Sequence, residues 1–472
     1  MGYEKEIHEY IENHKDELLN DLFDLMRINS EKMDPLPGKP FGEGPAKALA
    51  KGIEILDKYG FKTCNHDNYV ISGDLGPDDR ALDILAHLDV VPAGDEADWH
   101  VTKPFEPLIK DGILYGRGSS DDKGPAVSAI FALRAIKELG LPLKKGVRLI
   151  LGSDEECGSS DIEHYYKTEK PAPMSISPDA NWPLINIEKG GLANEFSADY
   201  EKSDKTPCLV SFNGGVKINV APGKANASVR GISAKEVKTV AEKVTKETGV
   251  HFNLNEKDGL TFIEAVGETC HASIPETGKN AITALTYLIA KLPLSDAPVN
   301  EYIRKLDQVF PFGKVNGEGL GVAIEDAESG KTTVSFDIIN VTETHFSGQF
   351  DMRASIAANE ENTGDVIERR LTDLGFNYVR KPMFAPHIVS ADSKLVKTLL
   401  KSYEKGFGVT GAKPLAIGGG TYVHHVEGGV AFGCEEEGFD NRMHGADERM
   451  KVSLLTKSAE IFADAILSLC ND

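Results

Sequence analysis

Positive charge is scarce in this chain: 52 Lys and Arg stand against 74 Asp and Glu among 472 residues, a formal net charge of −22. No basic arm or stripe interrupts the acidity, so a nucleic-acid partner would be held against the overall field and is not expected. Long apolar runs are missing too. None approaches the roughly 18 residues of a membrane span, and the opening MGYEKEIHEYIENHKDELLNDL reads as one acidic amphipathic helix, not a basic leader followed by an apolar segment. Neither lipidation pattern fits: Glu6 stands where myristoylation wants Ser or Thr, and the chain closes Cys470-Asn471-Asp472. The expectation is a cytoplasmic protein with no membrane partner. Cysteine is sparse, 6 residues without a C-x-x-C pair, which reads as free, mostly buried thiols.

What is present is ordinary globular material, with 40% hydrophobic and 27% charged residues and 46 Gly and 23 Pro. Collagen-like, fibrous and disordered chains are thereby excluded. The length suggests two or three domains of about 150 residues each. The first part alternates strand and helix signals. A mostly apolar run at 80–91 and a second at 147–151 flank a helical period over 124–139 that Gly140 closes, with Pro142 beyond. A hairpin is expected around Asp111-Gly112. Strand, helix, strand at these lengths implies a mostly parallel sheet covered by helices.

From 187 the texture changes to alternating stretches at 332–338 and 348–356, mixed with helices such as 234–248. The expected organisation is a catalytic α/β domain in two segments, 1–186 and 386–472, interrupted by an inserted α+β lid domain at 187–385. Its length of about 200 residues suggests two subdomains. Helices at 393–407 and 451–469 would complete the first domain.

In such a sheet, ligands lie beyond the carboxyl ends of the strands, so polar residues directly after apolar runs are the candidates. These are His87 and Asp89, the loop 116–124 with Asp121, the pair Glu155-Glu156, Asp179, and, in the tail, the run 443–448 with His444. Singly, each also fits a satisfied core histidine or a solvated loop. Together they supply two imidazoles and several carboxylates, the donor set of a pair of divalent ions. On a strand, His87 and Asp89 would leave the same face, placing a carboxylate behind a metal-binding imidazole. Glu155 and Glu156, if on a strand, would face opposite ways, and the spacing alone does not say which is ligand and which is base.

The motifs H-x-D-V-V-P (87–92), G-R-G-x-x-D-D-K-G (116–124), Glu155-Glu156, Asp179, H-A-S-x-P-x-x-G-x-N-A (271–281), G-G-G-T (418–421) and His444 occur in this order over nearly the whole chain. In this the sequence resembles the dinuclear-zinc peptidases and acylases that include glutamate carboxypeptidase, aminoacylase, succinyl-diaminopimelate desuccinylase and carnosinase, and their bacterial dipeptidases above all. The resemblance implies two Zn2+ per chain, with Co2+ or Mn2+ as substitutes. His87 and Asp179 would hold one ion, Glu156 and His444 the other, and Asp121, followed by a cis peptide to Asp122, would bridge them. Asp89 would orient His87, and Glu155 would be the general base for amide hydrolysis by a metal-activated water.

The same resemblance makes His271, in the inserted domain, the oxyanion donor, supplied within one polypeptide where the lid is enlarged; the expected state is a monomer. Asn219 and Arg353 match positions that contact the substrate, Arg353 gripping its carboxylate, and Gly418, Gly419, Gly420 and Thr421 would bring backbone N–H groups close to it, glycine permitting close approach and positive φ. His424 and His425 beside that loop are read as surface or pocket-wall residues, and His100, His345 and His387 receive no role. The expected reaction is hydrolysis of unblocked dipeptides, small peptide substrates with β-alanyl dipeptides such as carnosine among the candidates. An N-acyl amino acid deacylase or desuccinylase on the same scaffold is the alternative, and a non-catalytic metal-containing peptide-binding protein is the third, opposed by intact Glu155 and His271.

Overall fold

A computed structural model of the chain describes residues 2–471; Met1 and Asp472, the outer ends of the first and last expected segments, lie outside the described residues. Two compact units emerge. Unit 1 takes in the chain up to Ile187, His387–Leu415 and the stretch from Gly420; unit 2 comprises Glu188–Pro386 and Ala416–Gly419. Gly418 and Gly419 thus fall with unit 2, whereas the sequence reading placed the whole of 386–472 in the catalytic domain.

Unit 1 is a helix-covered sheet whose spatial order is Lys62–His66, Val70–Leu75, Gly146–Gly152, Arg80–His87, Met174–Ser177, Val430–Ala431, Ile185–Glu188 and His387–Ile388. The four strands from Gly146–Gly152 to Val430–Ala431 run parallel, and the Lys62–His66 edge is antiparallel. Arg80–His87 lies between two parallel neighbours and is buried from Ala81 onward. Its near-continuous apolar run, without alternation, is what burial on both faces requires. The helix Lys123–Glu138 is buried from Lys123 through Ile136, and a Cβ on its Gly124 would lie 2.1 Å from the Ser119 carbonyl oxygen, so only glycine lets the preceding loop fold back this closely. The hairpin forms as expected, Leu108–Lys110 with Ile113–Tyr115, with Asp111 and Gly112 at φ 53° and 76°.

The amino-terminal helix is not single. It breaks into Glu4–Asn13 and Lys15–Met26 at His14, whose φ of −111° leaves the helical region and whose ring Nδ1 bonds the Tyr10 carbonyl at 2.7 Å, competing with the backbone for that acceptor.

Unit 2 is built on an eight-stranded antiparallel sheet: His251–Lys257, Leu260–Val266, Lys224–Arg230, Cys208–Gly214, Thr333–Val341, His345–Ala354, Gly190–Asp199, Asn377–Val379. Two four-stranded halves meet where Cys208–Gly214 pairs with Thr333–Val341, through Phe212, Asn213 and Gly214. Much of the aromatic content is spent here: Phe196 packs against Phe310, Phe336, Phe346, Phe350 and Phe376. The helix Ala234–Thr248 begins with a Ser233/Glu236 capping box and ends at Gly249 in the left-handed region (φ 70°), as its sequence dictates. Asn280, inside the H-A-S motif, caps Ala281–Lys291 by accepting from Ile282 and Thr283 N–H, an arrangement that stabilises a helix by about 1 kcal/mol.

Of the thiols, Cys208, Cys434 and Cys470 are buried and Cys270 half-buried, but Cys64 and Cys157 are exposed, so "mostly buried" overstates them; all are free. Among the described residues no helix is long and apolar enough to cross a membrane.

Candidate metal centre

The carboxyl ends of three adjacent parallel strands converge on one spot of unit 1. His87 is the last residue of its strand, Asp179 follows Met174–Ser177 by two residues, and Gly146–Gly152 leads through Ser153-Asp154 into Glu155-Glu156. Asp121 comes from the loop ahead of Lys123–Glu138, and its peptide to Asp122 is cis. The tail contributes His444, in the left-handed region at φ 62°.

These side chains form two triads with one shared member. His87 Nε2 lies 3.0 Å from Asp121 Oδ1 and 3.6 Å from Asp179 Oδ2. On the other side His444 Nε2 lies 2.8 Å from Asp121 Oδ2 and 3.3 Å from Glu156 Oε2. Within each triad, one donor atom per residue falls within 4.8 Å of the others. Asp121 therefore offers one oxygen to each set, the geometry of a bridging carboxylate.

Two corrections to the sequence reading concern the backbone. Glu155 and Glu156 are not on a strand: they occupy the 3-10 turn Glu155–Cys157, so opposite-face alternation does not separate them. Asp89 lies beyond the end of its strand as well. Its carbonyl oxygen is 3.1 Å and its Oδ1 3.4 Å from His87 Nδ1, while the carboxylate also accepts the N–H of Glu155 and Glu156 at 3.3 and 3.2 Å. One side chain thus steadies the imidazole and the glutamate turn together. Asp122 Oδ2 takes the His87 N–H at 2.9 Å.

Charge within this cluster is unbalanced. Burial opposes a cationic His87, yet the carboxylates of Asp121, Asp179 and Asp89, as acceptors for its ring N–H groups, outweigh it and hold its pKa well above the ordinary value. Burial likewise opposes the His444 cation, and Asp121 with Glu156 overcomes it, lifting the pKa to about 11. Burial raises Glu156 to about 7, and Asp121 adds to the rise. Glu155 is pushed well up, first by burial and then, against His87, by Asp179 and Glu156.

The residues fit a pair of divalent ions. His87 Nε2 and Asp121 Oδ1 face each other as an ion pair outside hydrogen-bond geometry, and Glu156 Oε1 is buried without a hydrogen-bond partner among the described residues, all three belonging to residues of the two triads. Buried polar atoms are seldom left so, and nitrogen and oxygen donors of this mixture suit zinc, cobalt or manganese.

Of the candidate substrate residues, His271, Asn219, Arg353, Gly418 and Gly419 belong to unit 2, and Gly420 and Thr421 to unit 1. The short ladder of Val220–Ala221 with Cys270–His271 sets Asn219 beside the H-A-S motif, where the Asn219 carbonyl accepts from Ala272 N–H at 2.9 Å and Asn219 Oδ1 is buried without a hydrogen-bond partner among the described residues. Arg353 is gripped by Asp351 through Nε at 2.8 Å and Nη2 at 3.1 Å and also donates to the Gly418 carbonyl. A Cβ on Gly418 would lie 2.7 Å from Ser273 Cβ and about 3.1 Å from Arg353 Cγ. Close approach, not positive φ, is what glycine provides at Gly418, whereas a Cβ on Gly419 would meet only Ile417 Cδ1 at 3.6 Å, an ordinary contact. Thr421, in unit 1, turns its hydroxyl to the N–H of Val423 and caps the turn Tyr422–His425.

Sequence reasoning passed over several residues. Tyr422, fully buried, donates to Asp161, whose carboxylate also takes the N–H of Ser153 and Asp154 ahead of the glutamate turn. A Cβ on Gly152 would lie 2.0 Å from the Tyr422 hydroxyl, so glycine there makes room for it. Arg117 and Glu448 lay inside the loop 116–124 and the run 443–448 without a role; for Arg117 the available signal was a charge set between glycines.

The sequence profile described as peptidase family M20/M25/M40 matches residues 84–468. The chain is 34% identical over 462 residues to the putative dipeptidase YtjP of Bacillus subtilis (strain 168), covering 96% of this chain and 97% of the other. It is 32% identical to the Beta-Ala-Xaa dipeptidase of Lactobacillus delbrueckii subsp. lactis, covering 98% of each. Among solved structures, human carnosine dipeptidase 1 superposes with a TM-score of 0.61 at 17% identity over 100% of this chain and 99% of the other, a likeness of fold.

Proposed function

The chain belongs to peptidase family M20/M25/M40, and from that premise we propose that it is a zinc-dependent dipeptidase cleaving the peptide bond of dipeptides with a free amino terminus, β-alanyl dipeptides included. The observation that carries this reading is the pair of triads sharing Asp121, with buried donor atoms left outside hydrogen-bond geometry, in a chain whose relatives named as dipeptidases match it over almost its full length.

His87 and Asp179 would hold one ion, Glu156 and His444 the other, and Asp121 both. Two divalent ions bound there supply Lewis acidity and lower the pKa of an attacking water. The protein's own part is proton traffic and placement. Glu155, outside both triads and raised in pKa by burial, accepts the proton of the attacking water at its carboxylate and delivers it to the leaving amine. Asp89 fixes the His87 ring by holding Nδ1. His271 donates to the developing oxyanion, while Asn219, Arg353 and the 418–421 loop hold the substrate, Arg353 meeting its carboxylate. In this reading the protein works as a monomer in the cytoplasm, where six free thiols stay reduced.

The test is hydrolysis, by the zinc-loaded enzyme, of a dipeptide beside its N-acetylated form. Cleavage of the free dipeptide alone is expected. Preference for the blocked one would make the protein a deacylase, and cleavage of neither, with both ions confirmed present, would leave a peptide-binding protein.

A further inference from the structure

Glu448 is a carboxylate with no exposure, four residues after His444, and it gathers donors from one loop. Its Oε2 accepts from Arg117 Nη1 at 2.7 Å and Gly118 N–H at 3.1 Å; its Oε1 accepts from Ser120 N–H at 2.9 Å, Asp121 N–H at 3.3 Å and Ser119 Oγ at 3.5 Å. The last backbone donor belongs to the bridging aspartate itself. Arg117, equally buried and 5.5 Å from the Trp99 ring centroid, turns its other amino group to the carbonyls of Pro92 at 3.2 Å and His444 at 3.4 Å. The antiparallel pairing of Arg449–Lys451 with Ile113–Tyr115 brings the two loops into register, and Gly116 N–H donates to the Glu448 carbonyl at 2.9 Å.

A buried ion pair is a poor device for stability alone, because desolvation consumes most of its attraction. What this pair does is tie three segments, those of Pro92, Asp121 and His444, at fixed separation. It reaches both Asp121 and His444, whereas His87 and Asp179 are steadied elsewhere, by Asp122 on the His87 N–H and by Ser177 Oγ on the Asp179 N–H. Its reach is therefore asymmetric between the two triads.

We propose that Glu448 and Arg117 are positioning residues that set the spacing between Asp121 and His444 and thereby fix the affinity of the Asp121, Glu156, His444 triad for its ion, leaving the His87, Asp121, Asp179 triad largely unaffected. The inference rests on the dinuclear reading above. It assigns a purpose to two residues, one in the loop 116–124 and one in the run 443–448, that belong to neither triad.

The experiment is a Zn2+ titration of the full-length, chelator-stripped protein against a chromophoric competitor, with Co2+ absorption as a second signature of each ion's surroundings. Glu448→Gln removes the charge and sets an amide NH2 among the donors; Arg117→Lys keeps the charge but loses the fork. In both, one equivalent should bind as in the wild type and the second should weaken about 10- to 100-fold, the usual cost of losing a partner of a metal ligand. Circular dichroism establishes folding, and should Glu448→Gln fail to fold, Arg117→Lys and Glu448→Asp decide. Two equivalents of wild-type affinity in folded variants, or an equal weakening of both, would overturn the proposal and leave the pair as scaffold. Wild-type protein that takes up fewer than two ions would overturn the dinuclear reading instead, and that failure is read from a separate curve.

Discussion

The backbone N–H of Ser273 points at Nδ1 of His271 from 3.2 Å, and the Ser273 hydroxyl oxygen lies 2.7 Å from the same nitrogen. A backbone N–H only donates, so Nδ1 is an acceptor and the ring proton of the neutral imidazole sits on Nε2. The far nitrogen is thereby a hydrogen-bond donor, the form an oxyanion requires. The two residues are held two apart by the turn that follows the short strand Cys270–His271, so the tautomer is written into the H-A-S sequence.

Loss of that donor should be felt in turnover. His271→Ala is expected to lower kcat by about 10²- to 10³-fold with little change in metal content, in line with other oxyanion donors. Ser273→Ala, which keeps the backbone donor and loses only the hydroxyl, should cost roughly 10-fold or less. Steady-state kinetics on a free dipeptide separate the roles: a raised KM with intact kcat in Ser273→Ala would assign the serine to substrate binding.

Glu155 lies outside both triads, so replacing it should spare the ions and remove the proton carrier. Glu155→Gln is expected to reduce kcat by about 10²- to 10⁴-fold while elemental analysis still finds two ions per chain. Substantial activity in that variant would remove Glu155 from the mechanism.

The ligands proper should behave in the opposite way. His444→Ala and Asp179→Ala each delete one member of a triad without touching the shared Asp121. Each should therefore drop the metal content toward one ion per chain at limiting metal, with activity falling in parallel. A full complement of two ions in either variant would contradict the assignment of that residue.

Much of this was legible in the sequence because the informative signal was local. An apolar run ending in His87, a glycine-rich turn ending in Asp121, and Gly152 followed by acids all announce strand ends, and an α/β sheet makes strand ends neighbours. What stayed hidden depended on separation along the chain. Nothing near Glu448 says that its donors come from residues 117–121, and nothing near Tyr422 says that Asp161 waits for its hydroxyl. The glutamate turn stayed open for a different reason: two acids after a strand can continue it or turn, and the Asp89 carboxylate that receives both N–H groups comes from a distant segment. The break at His14 is similar, since amphipathic periodicity carries through a residue whose ring takes a backbone acceptor.

A last prediction concerns unit 2 and acidity. Asp337 has no exposure, its Oδ2 has no partner among the described residues, and burial, aided by the neighbouring Asp351 and opposed by the Ser335 hydroxyl, pushes its pKa to about 9. The unfolded chain would release that proton near the ordinary aspartate value of about 4. Between those two points the folded state holds one proton more than the unfolded, so the contribution of this group to stability falls as pH rises, starting near pH 4 and levelling only above 9. Asn is uncharged at every pH and nearly the same shape, so Asp337→Asn should remove the slope. Its melting temperature should match the wild type at pH 4 to 5 and exceed it by roughly 3 °C or more at pH 8, the gap widening steadily between. Parallel melting curves across that range would mean that Asp337 is ionised in the folded protein and that Arg353, clamped by Asp351, is compensating both acids.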